Sequence, residues 1–107
     1  MTKDSSKLCY ALLSHYTKLY EQKYGRKPTI NRHREKWAMN DVIDSIGYDR
    51  ARELLDYYFR VTNPNHGLTW FFYNFDRLDD MLEKTERDNE RRARIREKTK
   101  QMVEEAD

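Results

Sequence analysis

The chain has 107 residues, a length that fits one domain and leaves little room for a second. Charged residues make up 37% of it, but eight tyrosines, four phenylalanines and two tryptophans indicate that part of it folds around a packed core. Three glycines and two prolines are too few for the turns of a sandwich or barrel. We therefore predict an all-α fold, a compact bundle of about four helices with a long charged C-terminal helix.

Two features of the composition bear on the cell compartment. No apolar run approaches the length of about 18 residues that a membrane span needs, and no apolar segment follows the first four residues. We expect a cytoplasmic protein with no membrane contact. The only cysteine, Cys9, lies among leucines and has no second cysteine to pair with, so we expect it to be buried in the core.

Positive charge is concentrated in one segment, although the formal net charge is only +2. Residues 23–36 hold six basic side chains and one acidic one, whereas residues 37–82 hold four basic and eight acidic ones. Residues 83–107 hold eight of each. Such a segment in a nearly neutral protein indicates an anionic partner.

The first helix is predicted from apolar residues at helical spacing up to Gly25, with Asp4 or Ser5 as its N-cap and Tyr24 near its end. Gly25 and Pro28 then predict a loop. The residues that form the apolar stripe are Leu8, Cys9, Leu12, Leu13, Tyr16, Leu19 and Tyr20.

A second helix is predicted over residues 32–46, with Asn31 as its cap and Gly47 as its stop. Trp37 or Ala38, together with Val42, Ile43 and Ile46, form its core face.

Asp49 is the predicted cap of a third helix, which ends before the polar loop 62–67. Its core stripe contains Ala51, Leu54, Leu55, Tyr58 and Phe59. Together with the second helix it resembles the outline of a helix-turn-helix. Its arginines are offset by acidic neighbours, which favours plain helical-hairpin packing over reading of a DNA groove.

A fourth helix is predicted to open at Thr69 and carries five aromatic residues between positions 70 and 75. They spread around the helix axis, so they cannot all face one core. We favour packing of the phenylalanines in the core, with Trp70 or Tyr73 closing it against the first helix. The alternative is that Trp70 and Tyr73 bind a partner. The core stripe contains Phe71, Phe72, Phe75, Leu78 and Leu82.

Residues 1–82 are predicted to form the globular domain, and residues 83–107 a charged helical extension that is solvent-exposed or binds a partner. No glycine or proline interrupts the extension. It offers three ion pairs at i,i+4 spacing, Glu83 with Arg87, Asp88 with Arg92 and Glu90 with Arg94. The candidate partner-binding residues in it are Arg91, Arg92 and Ile95.

Self-association through this helix is an alternative to simple exposure. A heptad-like seam would pair two copies as a weak homo-oligomer, but its middle is polar, which favours an exposed charged helix. The seam runs through Leu78, Met81, Thr85, Asp88, Arg92, Ile95, Thr99, Met102 and Ala106.

The basic segment is the candidate nucleic-acid-binding site. It surrounds a loop and a helix start, where free backbone N–H groups also favour anions, so phosphates are the expected ligand. The alternative is that these are ordinary solvated charges, some paired with the acidic stretch that follows. The residues are Lys23, Arg26, Lys27, Arg32, His33, Arg34 and Lys36.

Nothing in the sequence predicts catalysis. The three histidines are scattered, and no metal motif, triad or phosphate-binding glycine loop is present, so we expect no enzyme, no catalytic residue and no cofactor. Asp76, Asp79 and Asp80 have oxygen ligands for a divalent ion, but a solvated acidic face is the favoured interpretation, and no metal site is expected.

The order of these elements resembles small helical modules of bacteriophage replication accessory proteins. The resemblance rests on the tract from Tyr24 to Asn31, the helix pair from Lys36 to Phe59, and the segment from Leu68 to Leu78, and it covers roughly residues 8–82. Such replisome organisers and helicase loaders carry a Gly-x-x-Pro loop ahead of a winged-helix-like or DnaD-like unit. The resemblance implies DNA binding or recruitment of a replication partner in a bacterial host cell, although no wing hairpin is visible here.

Two functional hypotheses follow. In the first, the protein is a nucleic-acid-associated accessory factor of the phage type, which acts through the basic segment in DNA replication or in a replication or transcription complex. In the second, it is a non-enzymatic adaptor or inhibitor that docks on a host or viral complex through the aromatic helix and the charged tail.

Overall fold

A computed structural model describes residues 2–105, and within that range it contains four α-helices and no strands. The prediction of an all-α bundle with a long C-terminal helix is confirmed. The helices are α1 (Lys3–Tyr24), α2 (Arg32–Ile46), α3 (Tyr48–Tyr58) and α4 (Leu68–Glu105).

Helix α1 starts earlier than its predicted cap. Thr2 has an extended backbone, and its Oγ1 accepts a hydrogen bond of 3.1 Å from the backbone N–H of Ser5. Asp4 and Ser5 already lie inside the helix, so the prediction that one of them is the cap was wrong. The helix ends at Tyr24 as predicted, because Gly25 adopts a left-handed conformation with a φ of 73°.

Helix α2 has the predicted bounds, and Asn31 caps it by accepting a hydrogen bond of 3.2 Å from the N–H of Arg34. Gly47 is the single residue between α2 and α3. Its φ of 85° is a backbone conformation that residues with a side chain rarely adopt. The prediction that Asp49 caps α3 was wrong, because α3 already begins at Tyr48. Asp49 lies in its first turn, where a carboxylate still stabilises the positive helix end.

The core is formed by one face of each helix, and Cys9 is buried in it as predicted. Leu8 was predicted in the core and is exposed. Of the two alternatives Trp37 and Ala38, the first is exposed and the second is half-buried. Met39, which was not predicted in the core, is fully buried. The largest fully buried side chains include Tyr16, Tyr58, Phe71, Leu12, Leu13, Leu54, Leu55 and Leu78.

Arg50 joins α3 to α4. Its Nε donates a hydrogen bond of 2.6 Å to Asp79, and its Nη1 donates bonds of 2.8 Å to Glu86 and 3.0 Å to Glu53. These acceptors, Glu86 first, raise the pKa of the guanidinium above its already high value. Elsewhere on α3, a carboxylate oxygen of Asp56 lies 2.6 Å from His15 Nε2 of α1.

The distal part of α4 leaves the bundle. Leu82 is its last buried residue, and residues 83–104 are all exposed. The radius of gyration is 18.2 Å, against about 13 Å for a compact chain of this length. Of the three expected ion pairs only Glu90 with Arg94 lies within 4 Å, at 3.7 Å, and Ala106 of the seam lies outside the described residues. None of the helices within residues 2–105 is apolar over a length that could cross a membrane.

The exposure of this segment predicts that it contributes little to the stability of the bundle. Removal of residues 90–107 should change the thermal midpoint by less than about 2 °C, because no buried residue is lost. Circular dichroism at 222 nm measures this. As a control, a chain that ends at Asp80 loses Leu82 and Glu86, and its midpoint should fall by about 5 °C or more. An equal fall in the two truncated chains would contradict the prediction.

The burial of Cys9 predicts an unreactive thiol. Burial raises the pKa of the thiol, so less of the reactive thiolate is present at pH 8. Reaction with a disulfide reagent should be at least about 100-fold slower in the native protein than in denaturant, because the core must open first. A variant with Cys9→Ala and Ala93→Cys, which moves the thiol to the exposed helix, should react at once. Immediate labelling of native Cys9 would show that the core around it is open.

Candidate functional site

The loop that connects α3 to α4 contacts the end of α1, next to the loop that connects α1 to α2. His66, in the loop between α3 and α4, is 1% exposed and has a positive φ of 46°. Tyr16 donates its hydroxyl to the carbonyl of His66 at 2.7 Å, and Tyr58 donates its hydroxyl to the carbonyl of Gly67 at 2.8 Å. Burial raises the pKa of both tyrosines, which keeps their hydroxyls protonated as donors. The start of α4 is thereby attached to α1 and α3.

The ring of His66 attaches the end of α1 to the same loop. Its Nε2 lies 2.9 Å from the carbonyl of Val61, which can only accept, so this nitrogen carries the proton. Nδ1 forms a hydrogen bond of 2.5 Å with the hydroxyl of Tyr24. The ring also stacks on Phe59, at a centroid distance of 4.9 Å. Sequence reasoning missed this residue, because the composition of positions 62–67 predicts only a polar loop.

Tyr24 directly precedes residues 25–31, the loop between α1 and α2, which we name the basic loop. The bond from Tyr24 to His66 therefore brings the basic loop next to the start of α4. Between them lies a surface pocket of about 630 Å³. We name it the basic pocket. Its charged lining residues are Arg26, Lys27, Arg34 and Glu35, and its other lining residues include Tyr16, Tyr20, Pro28, Asn65, Gly67, Leu68, Thr69 and Trp70.

The first turn of α4 contributes donors to the basic pocket. Within residues 2–105, no hydrogen-bond partner exists for the backbone N–H groups of Leu68, Thr69 and Trp70. The first intrahelical bond is the one from Phe71 to the carbonyl of Gly67. Unpaired N–H groups and the positive end of the helix dipole favour a bound anion. The pocket thus combines cationic side chains with backbone donors.

The structure places only some of the seven predicted nucleic-acid-binding residues at the basic pocket. Arg26, Lys27 and Arg34 line the basic pocket. Arg34 is largely exposed and lies 3.3 Å from the carboxylate of Glu35, which offsets part of its charge. Lys23 and His33 are exposed but lie outside the lining.

Arg32 and Lys36 instead pack on α1. Arg32 Nη2 donates hydrogen bonds of 2.6 Å to Ser14 Oγ and 3.2 Å to the carbonyl of Tyr10. The ammonium of Lys36 lies 5.8 Å from the ring centroid of Tyr10 and 5.4 Å from that of Trp37. These cation–π distances and bonds give both residues a role in holding α2 against α1.

A second pocket of about 580 Å³ lies between α2 and α4. We name it the aromatic pocket. It shares Arg34, Glu35 and Thr69 with the basic pocket, so the two pockets are neighbours, and we call them together the groove. Its own lining residues are Trp37, Ala38, Asp41, Val42, Phe72, Tyr73 and Phe75.

The aromatic run of α4 is distributed largely as the favoured interpretation predicts. Phe71 is fully buried, and Phe72 and Phe75 pack against the core from its edge. Trp70 stacks on Tyr58 at a centroid distance of 5.4 Å and an interplanar angle of 7°, so it closes the core against α3, and not against α1. Tyr73 is 81% exposed and remains available for binding.

The remaining candidate residues lie elsewhere. Arg91, Arg92 and Ile95 are exposed on distal α4, and none of them lines the groove. Asp79 is bound to Arg50 and does not join Asp76 and Asp80 in a cluster. Among residues 2–105 no group of three histidine, cysteine, aspartate or glutamate side chains converges to hold a metal ion.

Comparison with known proteins found no matching family model, no matching curated protein and no matching solved structure.

His66 is predicted to be the residue on which the geometry of the site depends. His66→Ala removes the buried bonds to Tyr24 and Val61 and leaves a cavity, so the free energy of unfolding should fall by about 2–4 kcal/mol. Urea denaturation followed by circular dichroism measures it. His33→Ala makes the same change at an exposed position and should alter stability by no more than about 0.5 kcal/mol. Equal effects of the two substitutions would refute this role of His66.

Proposed function

We propose that this protein is a non-enzymatic nucleic-acid-binding protein and that the phosphate backbone of its ligand occupies the basic pocket. One observation carries the proposal. Arg26, Lys27 and Arg34 line the same pocket as the first turn of α4, whose first three backbone N–H groups have no partner. Cationic side chains beside unpaired backbone donors are a combination that suits the oxygens of a phosphodiester.

The distribution of charge elsewhere supports this location over the helix pair. Arg50 of α3 is held by three carboxylates, and within residues 37–82 acidic side chains outnumber basic ones by eight to four. A recognition helix in a DNA groove needs free basic or amide side chains. The basic pocket is therefore a better phosphate site than α3.

The resemblance to phage replication modules stays a prediction, and with it a role in replication. This resemblance is the reason that DNA is the first nucleic acid to test.

A second candidate function, docking on a protein partner, is favoured by the exposed apolar side chains on distal α4. Ile95, Met102 and Val103 are each more than half exposed, in the part of α4 where residues 83–104 are all exposed. Such residues suit helix-to-helix contact with a protein or with a second copy.

Binding to labelled single- and double-stranded oligonucleotides, measured by fluorescence anisotropy over a range of salt concentrations, tests the first proposal. About three phosphate contacts predict a slope of log affinity against log salt of about −2 to −3. The triple variant Arg26→Ala, Lys27→Ala and Arg34→Ala should bind about 10-fold or more weakly, with a slope closer to zero.

The matched control is Arg91→Ala, Arg92→Ala and Arg94→Ala, which removes the same charge from distal α4 and should leave affinity nearly unchanged. If both triple variants lose affinity equally, net charge and not the pocket attracts the ligand. No binding to either oligonucleotide at low salt would exclude the proposal and leave docking through distal α4 as the next function to test.

A further inference from the structure

We infer, on the premise that the protein binds nucleic acid, that its ligand is single-stranded and that unpaired bases stack on Trp37 and Tyr73 in the aromatic pocket. The inference starts from the adjacency of the two pockets. Arg34 and Thr69 line both of them, so a strand with its phosphates in the basic pocket would place neighbouring bases at the aromatic one.

Two aromatic rings line the aromatic pocket with exposed surface, one of them, Trp37, with the ammonium of Lys36 5.4 Å from its ring centroid. Trp37 of α2 is 54% exposed and Tyr73 of α4 is 81% exposed. Trp37 lines the aromatic pocket from α2 and Tyr73 lines it from α4, beside Phe72 and Phe75, which are partly buried against the core. Two large aromatic side chains that line one pocket and stay more than half exposed forgo the free energy that burial would give them.

The two ends of the groove also differ in charge. Its basic end holds Arg26 and Lys27, and its aromatic end holds Asp41. Glu35 lies at the junction beside Arg34. Phosphates are therefore favoured at the basic end and disfavoured beside Asp41, which leaves the aromatic end to the uncharged bases.

A duplex does not fit this arrangement. Its bases are covered above and below by their stacked neighbours, so flat aromatic rings beside a phosphate site have nothing to stack on. Unpaired bases present both faces, and stacking on an aromatic ring is worth about 1–3 kcal/mol for each base with little dependence on sequence. The chemistry of the groove thus favours a single strand.

A labelled thymidine oligonucleotide of about 15 nucleotides, a usual size for a small single-strand-binding domain, tests this beside a duplex of the same length. The intact protein should bind the single strand more tightly. Trp37→Ala and Tyr73→Ala should each weaken that binding by about 5- to 150-fold and leave duplex binding unchanged. Trp37→Phe and Tyr73→Phe keep a stacking surface and should restore most of the affinity.

Tryptophan emission gives an independent readout. A base stacked on Trp37 should quench its fluorescence, and the quenching should shrink in the Trp37→Phe variant, in which Trp70 is the remaining reporter. Both alanine substitutions are at exposed positions, and unchanged circular dichroism and thermal midpoints verify that the fold is intact.

The outcomes separate this inference from the function on which it rests. Equal binding of single strand and duplex, insensitive to Trp37→Ala and Tyr73→Ala but lost in the Arg26, Lys27 and Arg34 triple variant, would overturn the inference and retain nucleic-acid binding. Binding of neither oligonucleotide would overturn both, and would make a protein ligand the remaining occupant of the groove.

Discussion

The arrangement of the bundle depends on buried tyrosine hydroxyls that satisfy the backbone of one loop. Tyr16 and Tyr58 bond to the carbonyls of His66 and Gly67, and Tyr24 bonds to the ring of His66. A loop can enter a core only if its polar groups find partners, since each one left unpaired costs about 1–3 kcal/mol. Among the described residues no buried side-chain nitrogen or oxygen lacks a partner. The tyrosines therefore permit His66 to be buried within an otherwise largely exposed loop, and they also fix the position of that loop.

The groove is a consequence of that constraint. Helix α4 starts one residue after Gly67, so its first turn is placed by the same bonds. Tyr24 ends α1 one residue before Gly25, so the bond to His66 also sets where the basic loop begins. Cationic side chains and helix N–H groups lie at the same pocket because Tyr24 and Tyr58 are bonded to the adjacent residues His66 and Gly67.

The sequence predicts the helices well and the site only in part. Helical spacing and the stops at Gly25 and Gly47 are local signals, so the bounds of α2 and the end of α1 follow directly. The burial of His66 is a tertiary effect, since its partners Tyr24 and Val61 are identified only once the chain is folded. The same limit explains the basic segment, where composition cannot distinguish residues that face a pocket from Arg32, which packs on α1.

Distal α4 shows how a segment without a core can still be helical. A helix is costly to nucleate, but each further residue adds one hydrogen bond once a turn exists. Residues 68–82 are packed in the bundle and provide that turn, and the residues beyond Leu82 then extend it. Arg50 stabilises α4 where it leaves the bundle, because it binds Glu86, one turn past Leu82. The exposed segment thus continues the helix whose first turn lines the groove. A partner docked on the exposed segment would therefore be held rigidly relative to a ligand bound in the groove.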